Sequence, residues 1–359
     1  MSEITPRERF LRLLSYQPVD RLPVMSVEDY YEEPALARWR AEGLPADVHP
    51  EAALGMDSKR HVPVDFSPRP AFEIRRIAED EEYIVETDWI GTTVRRRKDA
   101  PSMYYGHIDF PVKSLADWRR YAERFRPDPA RVPQPFAETA VALDASPTPV
   151  GLILYPFFFR LGFYGLGMER FMLAVHDEPE LLHEMFSYWS DFVLKVIRPL
   201  LGRVRIDFVA IAEDLAYKGG PHFSPAIYRE FWLPYQNPIV EELRRAGIPI
   251  IGLWSSGNLN VLIPLLLENG VNAVMPVEQI ADMDPIALRR RYGRELRLLG
   301  GFPKEALIAG PAAIDAELTR LRPLIAEGGY LPTLDDVVPP EVPWEVYRYF
   351  IARLRQLRF

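Results

Sequence analysis

The chain has 359 residues, of which 48% are hydrophobic and 26% charged, as in ordinary globular proteins. Its formal net charge of −8 argues against nucleic acid or an anionic membrane as the main partner. The absence of cysteine excludes disulfides, thiolate metal sites and cysteine nucleophiles. No secretory signal opens the chain and no apolar run approaches the length of a membrane span, so we expect a cytoplasmic protein.

The N-terminal part of the chain predicts one helix and two short strands. Thr5 begins a capping box with proline at the first helical position, and apolar residues at helical spacing extend the helix to about Tyr16. Residues 21–24 are typical of a short strand that enters the core, and 61–65 of a second. The segment 26–56 reads as helical, polar connections.

A different pattern occupies about 72–98, where apolar side chains alternate with charged ones and Gly91 marks a turn. This alternation is typical of an antiparallel hairpin or meander with one solvated face. We interpret it as an insertion within an N-terminal extension that covers about 1–120.

From about residue 145 apolar strands alternate with helices, which indicates a parallel sheet. The glycine-spaced stretch 162–167 reads as a loop. At least six such units favour closure of the sheet. We therefore predict an α/β fold, a (β/α)8 TIM barrel, with its main units in 145–359 and the whole chain 1–359 as one domain. The predicted strands are 150–155, 208–212, 248–253, 273–277, 296–299 and 329–332. The predicted helices are 169–175, 178–200, 225–246, 259–268, 285–292, 311–326 and 344–357.

Polar side chains gather directly after the predicted strands, which is where barrel enzymes place their chemistry. Neighbouring carboxylates in a cleft raise each other's pKa and suit proton transfer. The candidate catalytic residues are Glu213, Asp214 and Glu278. No metal site is predicted. The candidate substrate-binding residues are Tyr155, Arg160, Tyr217, Lys218, His222, Trp254, Ser256, Asn258, Phe302, Asp335 and Asp336.

Structural roles compete with several of these assignments. Asp284 and Ser224 each precede a proline at a predicted helix start, which is typical of N-caps. The segment 255–258 could be only a turn and a helix cap, and 335–336 could only solvate a loop. The six histidines are scattered without metal-ligand spacing, and alternating charges on a solvated face explain the arginines at 95–97.

Several stretches, in order along nearly the whole chain, resemble the uroporphyrinogen decarboxylase superfamily. They are 5–10, 21–24, 212–221, 223–225, 300–307, 327–332 and 338–345. The resemblance implies a (β/α)8 barrel and one of two chemistries, decarboxylation of the acetate arms of a tetrapyrrole or methyl transfer to or from a corrinoid. The long N-terminal extension with a hairpin makes the chain more similar to the methyltransferase-like branch.

The chain also departs from the patterns of this superfamily. Decarboxylases carry an arginine-rich loop soon after the first strand, whereas 24–30 is acidic in this chain. Thiol-activating methyltransferases hold zinc with one histidine and two cysteines, so thiolate-zinc chemistry is excluded. Many relatives have His-Ser-Asp-Gly-Asn after the strand at 248–253, where this chain has Trp254 and Ser256 in place of the histidine and the aspartate.

The leading hypothesis is corrinoid-linked methyl transfer to or from a small molecule or pterin. The corrinoid would be carried by a partner protein, because the chain has no corrinoid-binding histidine motif. Glu213 and Asp214 would orient or protonate the substrate, Glu278 and Asn258 would hydrogen-bond it, and Asp336 would complete the polar face.

Two alternatives stay open. A decarboxylase acting on uroporphyrinogen or another polycarboxylate would need arginines at the mouth, for which Arg160 and 95–97 are the candidates. A non-catalytic ligand-binding barrel is favoured by the replacements at Trp254 and Ser256. The resemblance also implies that a homodimer would be unsurprising.

Overall fold

The computed structural model describes residues 4–26, 31–100 and 105–357. The strands in these ranges are β1 Arg60–His61, β2 Arg76–Glu79, β3 Tyr83–Thr87, β4 Thr93–Arg97, β5 Tyr105–Asp109, β6 Val150–Leu154, β7 Phe208–Ala212, β8 Ala216–Tyr217, β9 Gly220–Pro221, β10 Ile250–Trp254, β11 Ala273–Met275, β12 Arg297–Phe302 and β13 Tyr330–Leu334. The α-helices are α1 Pro6–Leu14, α2 Glu33–Ala41, α3 Pro50–Ala53, α4 Leu115–Ala122, α5 Phe136–Asp144, α6 Phe158–Leu166, α7 Met168–Asp177, α8 Pro179–Ile197, α9 Pro225–Ile227, α10 Leu233–Arg245, α11 Ile263–Asn269, α12 Pro285–Tyr292, α13 Lys304–Ala309, α14 Pro311–Glu327 and α15 Trp344–Gln356. A π-helix, Tyr228–Trp232, joins α9 to α10.

Seven of the strands form one parallel sheet, in the order β1-β6-β7-β10-β11-β12-β13. Each of these strands contributes at least one side chain to a single central cavity of about 30 Å³, so the sheet curls around a common interior as in a TIM-like barrel. The cavity is also lined by Met25 and Ser26. The strand residues around it are His61, Ile153, Phe208, Ala210, Trp254, Met275, Leu299 and Leu331.

The predicted first strand at 21–24 does not form, which corrects the expectation of eight paired strands within the described ranges. The segment still runs beside the approach to β1, because the Val24 carbonyl accepts a hydrogen bond from the Asp57 N–H at 2.7 Å. Lys59 Nζ also donates to the Ser26 carbonyl at 2.8 Å. Pro23 has no N–H to give to a ladder, which explains the lack of strand pairing.

Helix α1 closes the end of the barrel at which the strands begin. The buried Arg7 side chain donates to the carbonyls of Asp144 at 3.0 Å and Arg205 at 2.9 Å, and it pairs with Asp207 at 2.7 Å. Asp144 ends α5, the helix before β6, and Arg205 and Asp207 lie in the segment just before β7. Phe10 of the same helix lines the central cavity. We refer to the opposite end, where the strands finish, as the open end of the barrel.

The helix caps that the sequence predicts are present. The side chains of Thr5, Ser224 and Asp284 accept hydrogen bonds from backbone N–H groups in the first turns of α1, α9 and α12, at 3.1, 3.3 and 2.8 Å. No helix in the described ranges is long and apolar enough to cross a membrane.

The stretch 162–167 is helical rather than the predicted loop, because most of it belongs to α6. Its glycines allow close packing instead of a turn. A Cβ at Gly162 would lie 2.4 Å from the ring of Phe171, and one at Gly165 would lie 3.2 Å from Met185. Glycines that allow close helix packing can therefore produce the same sequence pattern as glycines in a loop.

The insertion predicted as a hairpin at about 72–98 is a larger antiparallel sheet, in the order β2-β3-β4-β5, that continues to Asp109. Its last strand packs on α6, since the ring of His107 lies 5.1 Å from that of Phe163 and 5.7 Å from that of Tyr164. This contact places one edge of the inserted sheet beside the open end of the barrel.

Candidate active site

The polar side chains at the open end fall into two clusters. The acidic cluster consists of Ser256, Glu278, Lys304 and Asp336, which follow β10, β11, β12 and β13. The aromatic cluster consists of Tyr155, Arg160, Tyr164, Asp214 and His222, which follow β6 and β7.

Glu278 is the best-placed proton donor of the acidic cluster. Its Oε2 accepts a hydrogen bond from the Gly257 N–H at 2.9 Å, and Lys304 pairs with Asp336 beside it. Burial is the main cause that raises the pKa of Glu278, and the charge of Asp336 adds to it, while Gly257, Ser256 and Lys304 oppose it. A half-buried carboxyl of this kind can hold a proton nearer to neutral pH than an exposed one.

Gly257 should tolerate no side chain. Its φ is +85°, and a Cβ there would lie 2.5 Å from the carbonyl carbon of Ala216, which is backbone. We expect Gly257→Ala to lower the free energy of unfolding by about 1 kcal/mol for the positive φ and by about 1–3 kcal/mol more for the overlap. Gly247 has a φ of +79° with nothing within 4 Å, so Gly247→Ala should show the first loss alone. Urea denaturation measures both, and equal losses would refute the close contact.

Glu213, predicted as catalytic, is buried and held by the protein. Its carboxylate accepts from the Phe159 N–H at 2.9 Å, from the Arg160 N–H at 3.4 Å and from the Trp232 indole N–H at 3.1 Å. The indole belongs to the π-helix, a rare conformation that often occurs near functional sites. These bonds fix the start of α6, so the geometry favours a positioning role for Glu213 over contact with substrate.

The titration of Glu213 should make the free energy of unfolding depend on pH. Burial raises its pKa from the ordinary 4.5 to about 8, against the opposing Trp232, Phe159 and Arg160 N–H groups. The folded state thus binds this proton more tightly than the unfolded chain, so the stabilisation is complete below pH 4.5 and is lost as the pH rises towards 8. Relative to Glu213→Gln, the free energy of unfolding of the wild type should fall by up to about 1.4 kcal/mol per pH unit across this window. Urea denaturation at several pH values tests this, and a wild-type advantage that grows with pH would contradict it.

The aromatic cluster surrounds one cation. Arg160 Nη2 lies 3.2 Å from Asp214 Oδ2, and both side chains are partly exposed. The hydroxyls of Tyr155 and Tyr164 lie 2.5 Å apart and share one hydrogen bond. Burial is the largest cause that raises the pKa of Tyr164, so this hydroxyl stays neutral.

The hairpin formed by β8 and β9 carries the other predicted residues of this side. The ring of His222 stacks on Phe159 at 5.2 Å and on Tyr217 at 5.6 Å. Burial lowers the pKa of His222, against the charge of Asp214. Tyr217 is 58% exposed and Lys218 is exposed, so both lie at the outer rim.

Three more predicted site residues make contacts within the protein that are typical of structural roles. Asn258 Oδ1 accepts from a backbone N–H two residues later, as expected of a turn. Phe302 is a correction, because it is fully buried and packs on Phe350 of α15 at 4.5 Å instead of facing the mouth. Asp335 is buried and accepts from the Lys304 N–H at 3.0 Å, and burial raises its pKa to about 7.

Sequence reasoning missed four residues that the structure brings to this end or to the interior. Trp254 was predicted, and it shares the central cavity with Lys59 and His61, which were not. Residues two apart in an extended segment share one face, but the predicted strand, 61–65, began only at His61, whereas the observed one is Arg60–His61. Tyr164 lies in the stretch that was interpreted as a loop, and His107 lies beyond the predicted insertion, which ended at about residue 98.

No group of three or more His, Asp or Glu side chains is arranged to hold a metal ion within 4–26, 31–100 and 105–357. The acidic segment that replaces the arginine-rich loop falls partly at 27–30, outside the described residues. The central cavity, of about 30 Å³, is far too small to hold a corrin ring.

Residues 159–357 match the sequence model of the family described as "Uroporphyrinogen decarboxylase (URO-D)". The chain is similar to the uroporphyrinogen decarboxylases of Hydrogenovibrio crunogenus, with 24% identity over 98% of this chain and 97% of that one, and of Myxococcus xanthus, with 26% identity over 71% of each. Its fold is similar to that of a methyltransferase from Methanosarcina mazei, with a TM-score of 0.63, 16% identity and 98% of both chains covered. The chain therefore belongs to the uroporphyrinogen decarboxylase family.

Proposed function

We propose that this chain transfers a methyl group between a small methylated molecule and a corrinoid held by a separate protein. The observation that carries the proposal is Glu278, a half-buried carboxyl of raised pKa at the open end of the barrel, next to Lys304 and Asp336. Methyl transfer away from a heteroatom needs a proton donor at that atom and a methyl carbon held in line.

In the demethylation direction, the bond between the methyl carbon and the substrate heteroatom breaks, and its electron pair stays on the heteroatom. Glu278 delivers a proton there, and Gly257 N–H then stabilises the carboxylate that remains. Lys304 neutralises Asp336 and so limits the negative charge beside Glu278. In the reverse direction Glu278 accepts the proton as the heteroatom takes up the methyl group.

A corrinoid on its carrier would supply or accept the methyl group when it is bound. The chain's own contribution is a narrow, largely apolar interior, with the acidic and aromatic clusters at the end of the barrel where the strands finish. Tyr155 and Trp254, at the ends of β6 and β10, are partly buried against the core and would help to keep the reacting carbon away from bulk water.

Decarboxylation of a polycarboxylate is the second candidate, and the names of the relatives from H. crunogenus and M. xanthus favour it. Such a substrate needs several cations at the mouth. The segments that join β6, β7, β10, β11, β12 and β13 to the following helices contain no arginine, and Arg160 in the first turn of α6 is the nearest. In the inserted sheet Arg96 pairs with Glu86, Arg97 pairs with Asp99, and Arg95 lies over the ring of Tyr83. Lys218 and Lys304 are the other cations at the ends of these barrel strands, and Lys304 is paired with Asp336. So few available cations favour a substrate with fewer carboxylates.

The two reactions and a purely binding role can be separated in one assay. The purified chain is incubated with cob(I)alamin and a panel of methoxy, methylamino and methylpterin compounds, and in parallel with uroporphyrinogen. Methyl transfer predicts a change in the corrinoid absorbance that depends on one of the methylated compounds. Loss of carbon dioxide from uroporphyrinogen, read by mass, would overturn the proposal in favour of the decarboxylase, and tight binding without turnover would favour a binding barrel.

A further inference from the structure

Arg160 carries hydrogen-bond donors that the described protein atoms do not use. A guanidinium offers five N–H donors. Among the described residues Asp214 is the one ion-pair partner of Arg160, at 3.2 Å from Nη2. The Nε atom is buried and has no hydrogen-bond partner there. A buried donor left without an acceptor costs about 1–3 kcal/mol, so this arrangement is unfavourable in the absence of a ligand.

Two arginines buried elsewhere in the chain donate to several backbone carbonyls, although the Nε of one of them, Arg289, also lacks a hydrogen-bond partner among the described atoms. Arg131 donates to the carbonyls of Asp65, Ser67, Arg124 and Arg126, at 2.8 to 3.0 Å. Arg289 donates to four carbonyls around the start of β12 and β13. These two arginines are structural. Arg160 differs in that Asp214 is its one acceptor among the described residues, with no backbone carbonyl beside it, and in its position at the open end of the barrel.

The surroundings of Arg160 suit a ligand with one negative charge. Its neighbours include the hydroxyls of Tyr155 and Tyr164, and it lies close enough to His107 to help burial lower the pKa of that imidazole. The ring of His107 in β5 packs on Phe163 and Tyr164 of α6 beside Arg160, which limits the contact of this side of the cluster with water and strengthens interactions between charges. Arg160 is the one cation of the aromatic cluster and already faces Asp214, so a dianion such as phosphate would be held less well than a single carboxylate.

We propose that Arg160 is the anchor for a single carboxylate of the substrate. A carboxylate has two oxygens that can accept two N–H groups of a guanidinium, and the Nη1 group of Arg160, unlike its Nε, is neither buried nor hydrogen-bonded among the described residues. The inference rests on the proposed function and narrows its substrate to methylated small molecules that carry one carboxylate. Asp214, half-exposed, limits the affinity by competing for the same cation.

Benzoate and its neutral counterpart benzamide test the anchor, by isothermal titration calorimetry with the full chain. We expect benzoate to bind and benzamide to bind at least about 10-fold more weakly. Arg160→Met should weaken benzoate about 30-fold or more, and Arg160→Lys, which keeps the charge without the fork, should lie between. Asp214→Asn should tighten benzoate binding, and Arg75→Met, at an exposed arginine of the insertion, should leave it unchanged.

Benzoate binding that survives Arg160→Met, equal binding of benzamide, or no benzoate binding to the wild type would overturn the anchor. Circular dichroism checks that Arg160→Met is folded, and the Asp214→Asn and Arg160→Lys results decide the matter if it is not. The benzoate titration needs neither a corrinoid nor turnover of a substrate. Failure of benzoate binding therefore counts against the anchor alone, whereas absent methyl transfer with Arg160-dependent binding counts against the proposed function alone.

Discussion

Replacing Glu278 with glutamine is expected to lower kcat by about 100- to 10,000-fold, the range that a positioned proton donor contributes. The amide oxygen can still accept the hydrogen bond from Gly257, so the local structure should persist, but the amide cannot release a proton to a leaving heteroatom. Initial rates with the best substrate of the methyl-transfer panel measure the effect.

The matched control is Glu268→Gln. This glutamate is exposed and pairs with Arg229 on the surface, at 3.0 Å. Its replacement should leave the rate within a small factor of the wild type. If Glu278→Gln behaved like this control, Glu278 would not be the proton donor, and the acidic cluster would be reduced to a structural role.

Replacing Arg7 with methionine is expected to lower the free energy of unfolding by about 3–5 kcal/mol, because it would leave Asp207 as a buried charge without its closest partner. Asp207 Oδ2 also accepts from the Val150 N–H at 2.8 Å, so the loss would reach the start of β6. Urea denaturation gives the difference directly.

Arg12→Met is the control for this second experiment. Arg12 lies further along the same helix and pairs with Glu8, with both side chains more than a third exposed. Exposed pairs of this type contribute about 0–1 kcal/mol. Equal losses for Arg7→Met and Arg12→Met would show that α1 does not seal the barrel through Arg7.

The elements that could be predicted are those whose local pattern agrees with their tertiary role. The strand 208–212 and the helix 285–292 were placed to the residue, because an apolar run is bounded by charges in the first case and an Asp-Pro cap begins the second. The prediction of a strand at 21–24 was wrong because Pro23, which has no N–H, interrupts the pairing that its apolar neighbours favour. Helix α6 was not predicted because Gly162 and Gly165 serve as packing residues. That role depends on the positions of Phe171 and Met185, which the local sequence does not reveal.

The candidate site divides in the same way. The rule that chemistry follows strand ends led to Glu278, Asp336, Arg160 and Asp214, which the structure gathers at the open end. It could not separate them from Asp335 and Glu213, because burial and backbone donors distinguish a capping carboxylate from an accessible one. His107 reaches the mouth from an insertion, and the spacing along the chain carries no information about that contact.

Family membership leaves the reaction itself open, and transfer of a labelled methyl group would test it most directly. The chain, wild type or Glu278→Gln, would be incubated with methylcobalamin deuterated in its methyl group and a panel of acceptors that includes hydroxy acids, amines and a tetrahydropterin. The account predicts a product with a deuterated methyl group, formed by the wild type and strongly reduced with Glu278→Gln. No labelled product from the wild type, together with loss of carbon dioxide from uroporphyrinogen, would contradict it.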